Sequence, residues 1–138
     1  MTSAEMGRSH LRQARRILLE AQRHHEDAAW HLVVRRCQET VELALKGALR
    51  FAGLEVPHVH DVGVLLADHA ERLPRGFADH LERLVSISRR LRQEREVSFY
   101  GNEEIAAPPE DLYTRGDADD ALRDARFVLD LAEVSFSH

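Results

Sequence analysis

The sequence predicts an all-α fold, an antiparallel up-and-down bundle of four to five helices. Three observations lead there. Apolar residues recur three and four positions apart over long stretches, the period of one helix face. Runs that alternate apolar and polar residues, the mark of a half-buried strand, are nearly absent. Four prolines and seven glycines in 138 residues leave long segments unbroken. The length fits one domain, residues 1–138, with enough chain to bury a real core.

Each element follows from its own pattern. The first helix starts at Thr2 or Ser3, where Thr2 and Glu5 have capping-box spacing, and ends near His24. Its stripe is Leu11, Ala14, Ile17, Leu18 and Ala21. The second runs from about Asp27, with Asp27 or Glu26 near its start, to Phe51, and Gly53 stops it. Trp30, Val33, Val34, Cys37, Val41, Leu45, Ala48 and Leu49 form its apolar face. A short loop with Pro57 leads to His60-Asp61, where Asp61 can cap a third helix carrying Val62, Leu65, Leu66 and Ala70. Leu73-Pro74-Arg75-Gly76 breaks that helix. A fourth is expected from Phe77 to about Phe99, with Leu81, Leu84, Ser88 and Leu91 on one face and Gly101 as its stop. After the irregular stretch from Asn102 to Gly116, Asp117 is expected to cap a fifth helix rich in alanine. Short connections favour antiparallel neighbours. Small residues on the fifth helix imply a close partner helix.

Composition narrows the function. The balance of 43% hydrophobic and 31% charged residues is that of a soluble globular chain. A formal net charge of −5 argues against a basic nucleic-acid binder overall, though a local basic patch remains open. No apolar run is long enough to span a bilayer, and Arg8, His10 and Arg12 interrupt any signal-peptide core, so a cytoplasmic location is expected. The single cysteine, Cys37, permits no intrachain disulfide and reads as a small buried hydrophobe. Nine histidines raise the question of a metal. No three or four of them share ligand spacing, so no metal site and no cofactor is expected.

One segment carries more than a core helix needs. In Gln38-Glu39-Thr40-Val41-Glu42-Leu43-Ala44-Leu45-Lys46, Glu42 and Lys46 lie four apart and meet on one face. Lys46 is the one lysine in the chain; every other Lys/Arg position is arginine. Spacing alone reads as an intrahelical ion pair at the edge of a core. The predicted fourth helix carries Arg83, Arg89, Arg90, Arg92 and Arg95 among Glu82, Glu94 and Glu96. It is either a ridge for phosphates or a solvated face of weak ion pairs. Phe99-Tyr100 and Tyr113 bracket the long loop, where aromatics either stack a base or pin the loop to the bundle.

Four blocks in this order resemble the HEPN family of small helical-bundle domains. Gln38 to Lys46 resembles its Gln-Gln-Ala-Ala-Glu-Leu-Ala-Leu-Lys signature, with Glu39 replacing the second glutamine. Pro57 with His60-Asp61 resembles the start of its third helix, and Arg95 to Gly101 the end of its fourth. Tyr113-Thr114 with Asp117-Ala118, Ala121 and Ala125 resembles the opening of its last helix. The resemblance implies a bundle that dimerises with its own kind and a link to RNA or nucleotides. It also implies a minimal nucleotidyltransferase as partner, in a toxin–antitoxin pair. Active members are metal-independent ribonucleases marked by an arginine, a polar residue, a few further residues and a histidine. An imidazole suits proton transfer near neutral pH, and a guanidinium can hold the phosphate.

Here the chain departs from the signature. Arg95 is followed by Glu96, Val97, Ser98, Phe99 and then Tyr100 where the histidine is expected. A phenol, with an ordinary pKa of roughly 10, is a poor proton shuttle at neutral pH. Glu96 sets a negative charge beside the arginine. The sequence therefore leans against ribonuclease activity by the usual route and toward a binding or regulatory role; the alternative is a ribonuclease toxin centred on Arg95. The resemblance yields Arg95 and Tyr100 as catalytic candidates, and Lys46, His60, Asp61, Arg92 and Arg95 as nucleotide- or RNA-binding candidates. Arg95 can equally pair with Glu94, Glu96 or an acid of a partner chain and hold the end of the bundle.

Overall fold

The structure is a computed structural model and describes residues 1–56 and 61–136. Pro57, His58, Val59 and His60 therefore lie outside the described residues. The helices are α1 (Ser3–Glu26), α2 (Trp30–Phe51), α3 (Val62–Asp68), α4 (Arg75–Ala78), α5 (Leu81–Gln93), α6 (Arg95–Tyr100) and α7 (Arg115–Ser135). Among the described residues no strand forms; Asn102 and Ala107 make one isolated bridge that closes the turn between them.

Helices α1 and α2 form an antiparallel hairpin. Ser3 Oγ donates to the Arg50 carbonyl at 2.5 Å, and Arg36 lies 3.4 Å from Glu20. Near their far ends the two backbones come close because neither Gly7 nor Gly47 carries a side chain. A Cβ added to Gly7 would sit 2.9 Å from the Gly47 carbonyl oxygen and 2.8 Å from Phe51 Cδ2. Below that crossing Leu11, Ala14, Leu18 and Ala21 of α1 share one buried cluster with Val33, Val34, Cys37, Val41, Ala44, Leu45 and Ala48 of α2. Helix α7 runs antiparallel to α1, with Arg15 bonded to Asp130 (2.8 Å) and Glu133, and His25 2.6 Å from Asp119. It runs alongside α2, so that the Arg115 guanidinium covers Trp30 and Phe136 stacks on Phe51. Its alanines 118, 121, 125 and 132 are buried in this seam, the close approach their size predicts. Helix α5 runs antiparallel to α7, pairing Arg90 with Asp124 and setting the Arg83 guanidinium over the Phe127 ring. The four long helices thus run up, down, up, down. Phe77 of α4 is fully buried edge-on against Phe136, and closes one end of the core.

The helix ends show where the sequence reading needs correction. The Thr2–Glu5 capping box forms, and Asp61 caps α3 by accepting from Gly63 N at 2.9 Å. Gly53 and Gly101 stop their helices at φ of +79° and +83°, as only glycine does without strain. Helix α1, however, continues past His24 to Glu26. Asp27 is its C-cap, and Ala29 begins α2 without a side-chain cap. Asp117 is not the cap of the last helix: Thr114 is, and Asp117 answers from the third helical position to complete a box. The third helix stops at Asp68, and 70–72 form a 3-10 turn. The fourth predicted helix is three pieces, divided at 79–80 and at Glu94. Neither break contains proline or glycine; Glu94 accepts a hydrogen bond from the Tyr113 hydroxyl there.

Candidate functional site

The 38–46 segment places its polar residues on one side of α2. Gln38 Nε2 donates to Glu42 Oε2 at 2.8 Å, and Lys46 Nζ lies 3.2 Å from Glu42 Oε1. The contact with a carboxylate orients the Gln38 amide, because only the NH₂ end can donate there. Gln38 is 4% exposed, and its carbonyl oxygen is buried with no donor among the described residues. Burial disfavours charge on Glu42, but Lys46, the Gln38 amide and the field of Arg95 outweigh it, so the carboxyl titrates below the usual range.

Two other elements bring positive charge to the same place. Arg92 reaches from the end of α5 to within 3.7 Å of Asp61 Oδ1, at the start of α3. Arg95 opens α6 just beyond the Glu94 break. Its backbone carbonyl accepts from Ser98 Oγ at 3.2 Å, while its guanidinium makes no ion pair among the described residues. Glu94, one of its sequence-predicted partners, is occupied by Tyr113. Burial, with that contact adding to it, drives the Tyr113 phenol well above its ordinary pKa, and the hydrogen bond ties the loop to the bundle.

Arg92 and Arg95 border two recesses. The inner one, about 50 Å³, is walled by Gln38, Glu42 and Ser88, with Val41, Val62 and Leu91 completing its lining. The outer one, about 400 Å³, is formed with Arg35, Glu96, Phe99 and Tyr100. Tyr100 is 67% exposed there, and the Arg35 guanidinium sits 5.3 Å from the Phe99 ring centre. Of the sequence-predicted residues, Asp61, Arg92 and Arg95 come together, and Tyr100 joins them on the outer side. Lys46 lines neither recess and reaches the site through Glu42. His60 lies outside the described residues. Gln38 and Glu42 are central to the geometry yet were absent from the candidate set; their signal was the four-residue spacing that ends at Lys46. Among the described residues no histidine lines either recess. Nor do three or more His, Cys, Asp or Glu cluster so as to hold a metal ion.

The model of the HEPN domain family matches residues 8–135. The chain belongs to the HEPN domain family. Its fold is also that of an archaeal HEPN homologue known from a crystal structure, with a TM-score of 0.67 and 24% identity over 94% of this chain and 97% of that one. No curated protein matches the chain. In this HEPN domain the family-like blocks at 38–46, Asp61 and 95–101 surround one point, although they are far apart in sequence. No described helix of the domain is long and apolar enough to cross a membrane.

Proposed function

We propose that this HEPN domain is the binding and regulatory partner of a minimal nucleotidyltransferase in a toxin–antitoxin-like module. In this reading it works as a homodimer in the cytoplasm, and its Arg92–Arg95 mouth holds the phosphate of a nucleotide or of RNA. The observation that carries the binding reading is the exposed Arg95 guanidinium, without an ion pair among the described residues, set beside Arg92 where two recesses meet. Two neighbouring guanidiniums with planar donor forks suit a phosphate. Phe99 and Tyr100 supply ring faces for a base beside them.

Fluorescence anisotropy with a labelled RNA tests the binding reading. Binding should weaken as salt rises, and Arg95→Ala should reduce it at every salt concentration. Equal binding by wild type and Arg95→Ala would refute it. Co-expression with a minimal nucleotidyltransferase encoded beside the gene tests the partner reading, with a co-purifying complex as the expected result.

A second reading is favoured by one feature. Arg95 and Tyr100 line the same outer recess. That arrangement supports a metal-independent ribonuclease toxin in which Tyr100 stands where a histidine would act. RNA incubated with wild type and with Arg95→Ala separates the two readings: arginine-dependent cleavage selects the ribonuclease, and intact RNA with retained binding selects the regulatory partner.

A further inference from the structure

We infer that Tyr113 is a positioning residue for the Arg92–Arg95 mouth: its hydroxyl holds the Glu94 carboxylate on the far side of the α5–α6 break and so keeps Arg95 open to an anion. This rests on the proposal that the mouth holds a phosphate.

Glu94 and Arg95 are neighbours in the chain, yet they border different spaces. Arg95 lines the inner and outer recesses. Glu94 lines neither; it borders a separate cavity of about 450 Å³ with Arg90, Val97, Tyr113 and the first turns of α7. Leu91 lines both this cavity and the inner recess, and so stands between them. Glu94 closes α5 and opens α6, but its side chain makes no capping bond to α6, the usual duty of an acid at a helix start. The Tyr113 hydroxyl, 19 residues further along the chain, donates to it instead.

That cavity is a poor place for an unheld carboxylate. Asp117, Asp120 and Asp124 line it as well. Its two guanidiniums are engaged, Arg90 with Asp124 and Arg123 with Asp120 and Asp124. The negative field is felt at the phenol: after burial and the hydrogen bond, the charges of Glu94 and Asp117 add to what holds its proton on, so it stays a donor at neutral pH. Without the hydroxyl, a half-buried carboxylate would stand among like charges with its donor gone, which is costly. The exposed Arg95 guanidinium, at the next position and without an ion pair among the described residues, is the cation left to receive it. Adjacent side chains diverge on a regular helix, but Glu94 sits at a break, where the helix does not fix that divergence. Once paired there, the carboxylate competes with an incoming phosphate. An exposed ion pair of ordinary strength lowers anion affinity by about two- to fivefold.

Titration of the full chain with a labelled single-stranded RNA by anisotropy, and with ATP by calorimetry, tests this. Tyr113→Phe keeps the ring and loses the donor. It should weaken whichever probe wild type binds by about two- to fivefold. Tyr113→Phe combined with Glu94→Gln should return to wild-type affinity, because no charge remains to cover Arg95. A tyrosine that only ties down the loop predicts otherwise, since its loss would persist in the double variant. Unchanged binding by Tyr113→Phe, or a loss that Glu94→Gln does not restore, overturns the inference and leaves the phosphate reading standing. Wild-type binding of neither probe, or equal binding by wild type and Arg95→Ala, overturns both. Glu94→Gln alone gives a decision even if Tyr113→Phe fails to fold. Its amide oxygen still accepts from the hydroxyl, so its affinity should match wild type. A clear rise would show that the carboxylate already lay on Arg95, and would overturn the inference.

Discussion

Gly7→Ala tests the close crossing that sets α2 against α1. Two effects of opposite sign meet there. Inside a helix, alanine is better than glycine by about 1 kcal/mol. Against this, the new Cβ would sit 2.9 Å from the Gly47 carbonyl oxygen, a backbone atom that cannot swing aside, and 2.8 Å from Phe51 Cδ2. To restore an ordinary contact of 3.4 Å the helices must part by about 0.5 Å. That would loosen the alanine seam along the hairpin. Overpacking of this kind costs about 1–3 kcal/mol, occasionally more. The net expectation is a loss of up to about 2 kcal/mol. At about 2.1 cal/mol/K of unfolding entropy per residue, 138 residues give a fall in Tm of up to about 7 °C. The assay is thermal unfolding followed by far-UV circular dichroism, with Gly76→Ala as the control, since nothing lies within 4 Å of a Cβ there. A Gly7→Ala protein that melts at or above wild type would show that the crossing has slack, and the reasoning would fail.

Other expectations follow from single groups. The Cys37 thiol, pushed up to about 12 chiefly by burial, should resist a disulfide reagent in mildly alkaline buffer while folded and react once the chain is denatured; fast native labelling would contradict its burial. Burial, with Arg50 and Lys46 adding to it, depresses the His10 imidazole below 6.5. The folded state therefore disfavours its proton, so stability is whole above that pH and falls as pH drops through the folded value. His10→Gln should flatten this limb of a urea-unfolding series, and an unchanged slope would refute the assignment. Glu42 acts in a lower window: its depressed carboxyl contributes above about 4.5 and is lost on further acidification, so Glu42→Gln should shrink only that acid-side loss. Thr114→Ala removes one half of the capping box of α7 and should cost about 1 kcal/mol in chemical denaturation; no loss would mean that the Asp117 half suffices alone.

Much of the helical layout was legible because its signals are local. The Thr2–Glu5 box, the Asp61 cap and the glycine stops at 53 and 101 each act within a few residues, and the structure keeps them. The breaks at 79–80 and Glu94 were not legible. Nothing in their own composition ends a helix; Glu94 meets Tyr113 and His80 packs on Phe127, both partners distant in sequence. Asp27 was misread for a related reason: capping residues look alike at either end of a tight connection, and Ala28 turns this one with φ of +56°. Within the site, Arg92, Arg95 and Asp61 could be picked out by type and resemblance. The convergence of Gln38 and Glu42 on Arg95 could not, since only the packing of α2 against α5 and α6 creates it. The Arg95 side chain also escaped the pairing with Glu94 that adjacency allowed, because the tyrosine reached that carboxylate instead.

Terminal turns of helices are ordinarily the first amides to trade hydrogen for deuterium, because little holds them once they fray. Here Phe136 is stacked on Phe51 at 4.9 Å and met edge-on by Phe77, while Phe51 also lies close beside Gly7, where an added Cβ would meet its ring. The last turn of α7 cannot come loose without unseating rings from two other helices. Its amides should therefore exchange in step with the end of α2, making this extremity a member of the slowest-opening unit of the molecule.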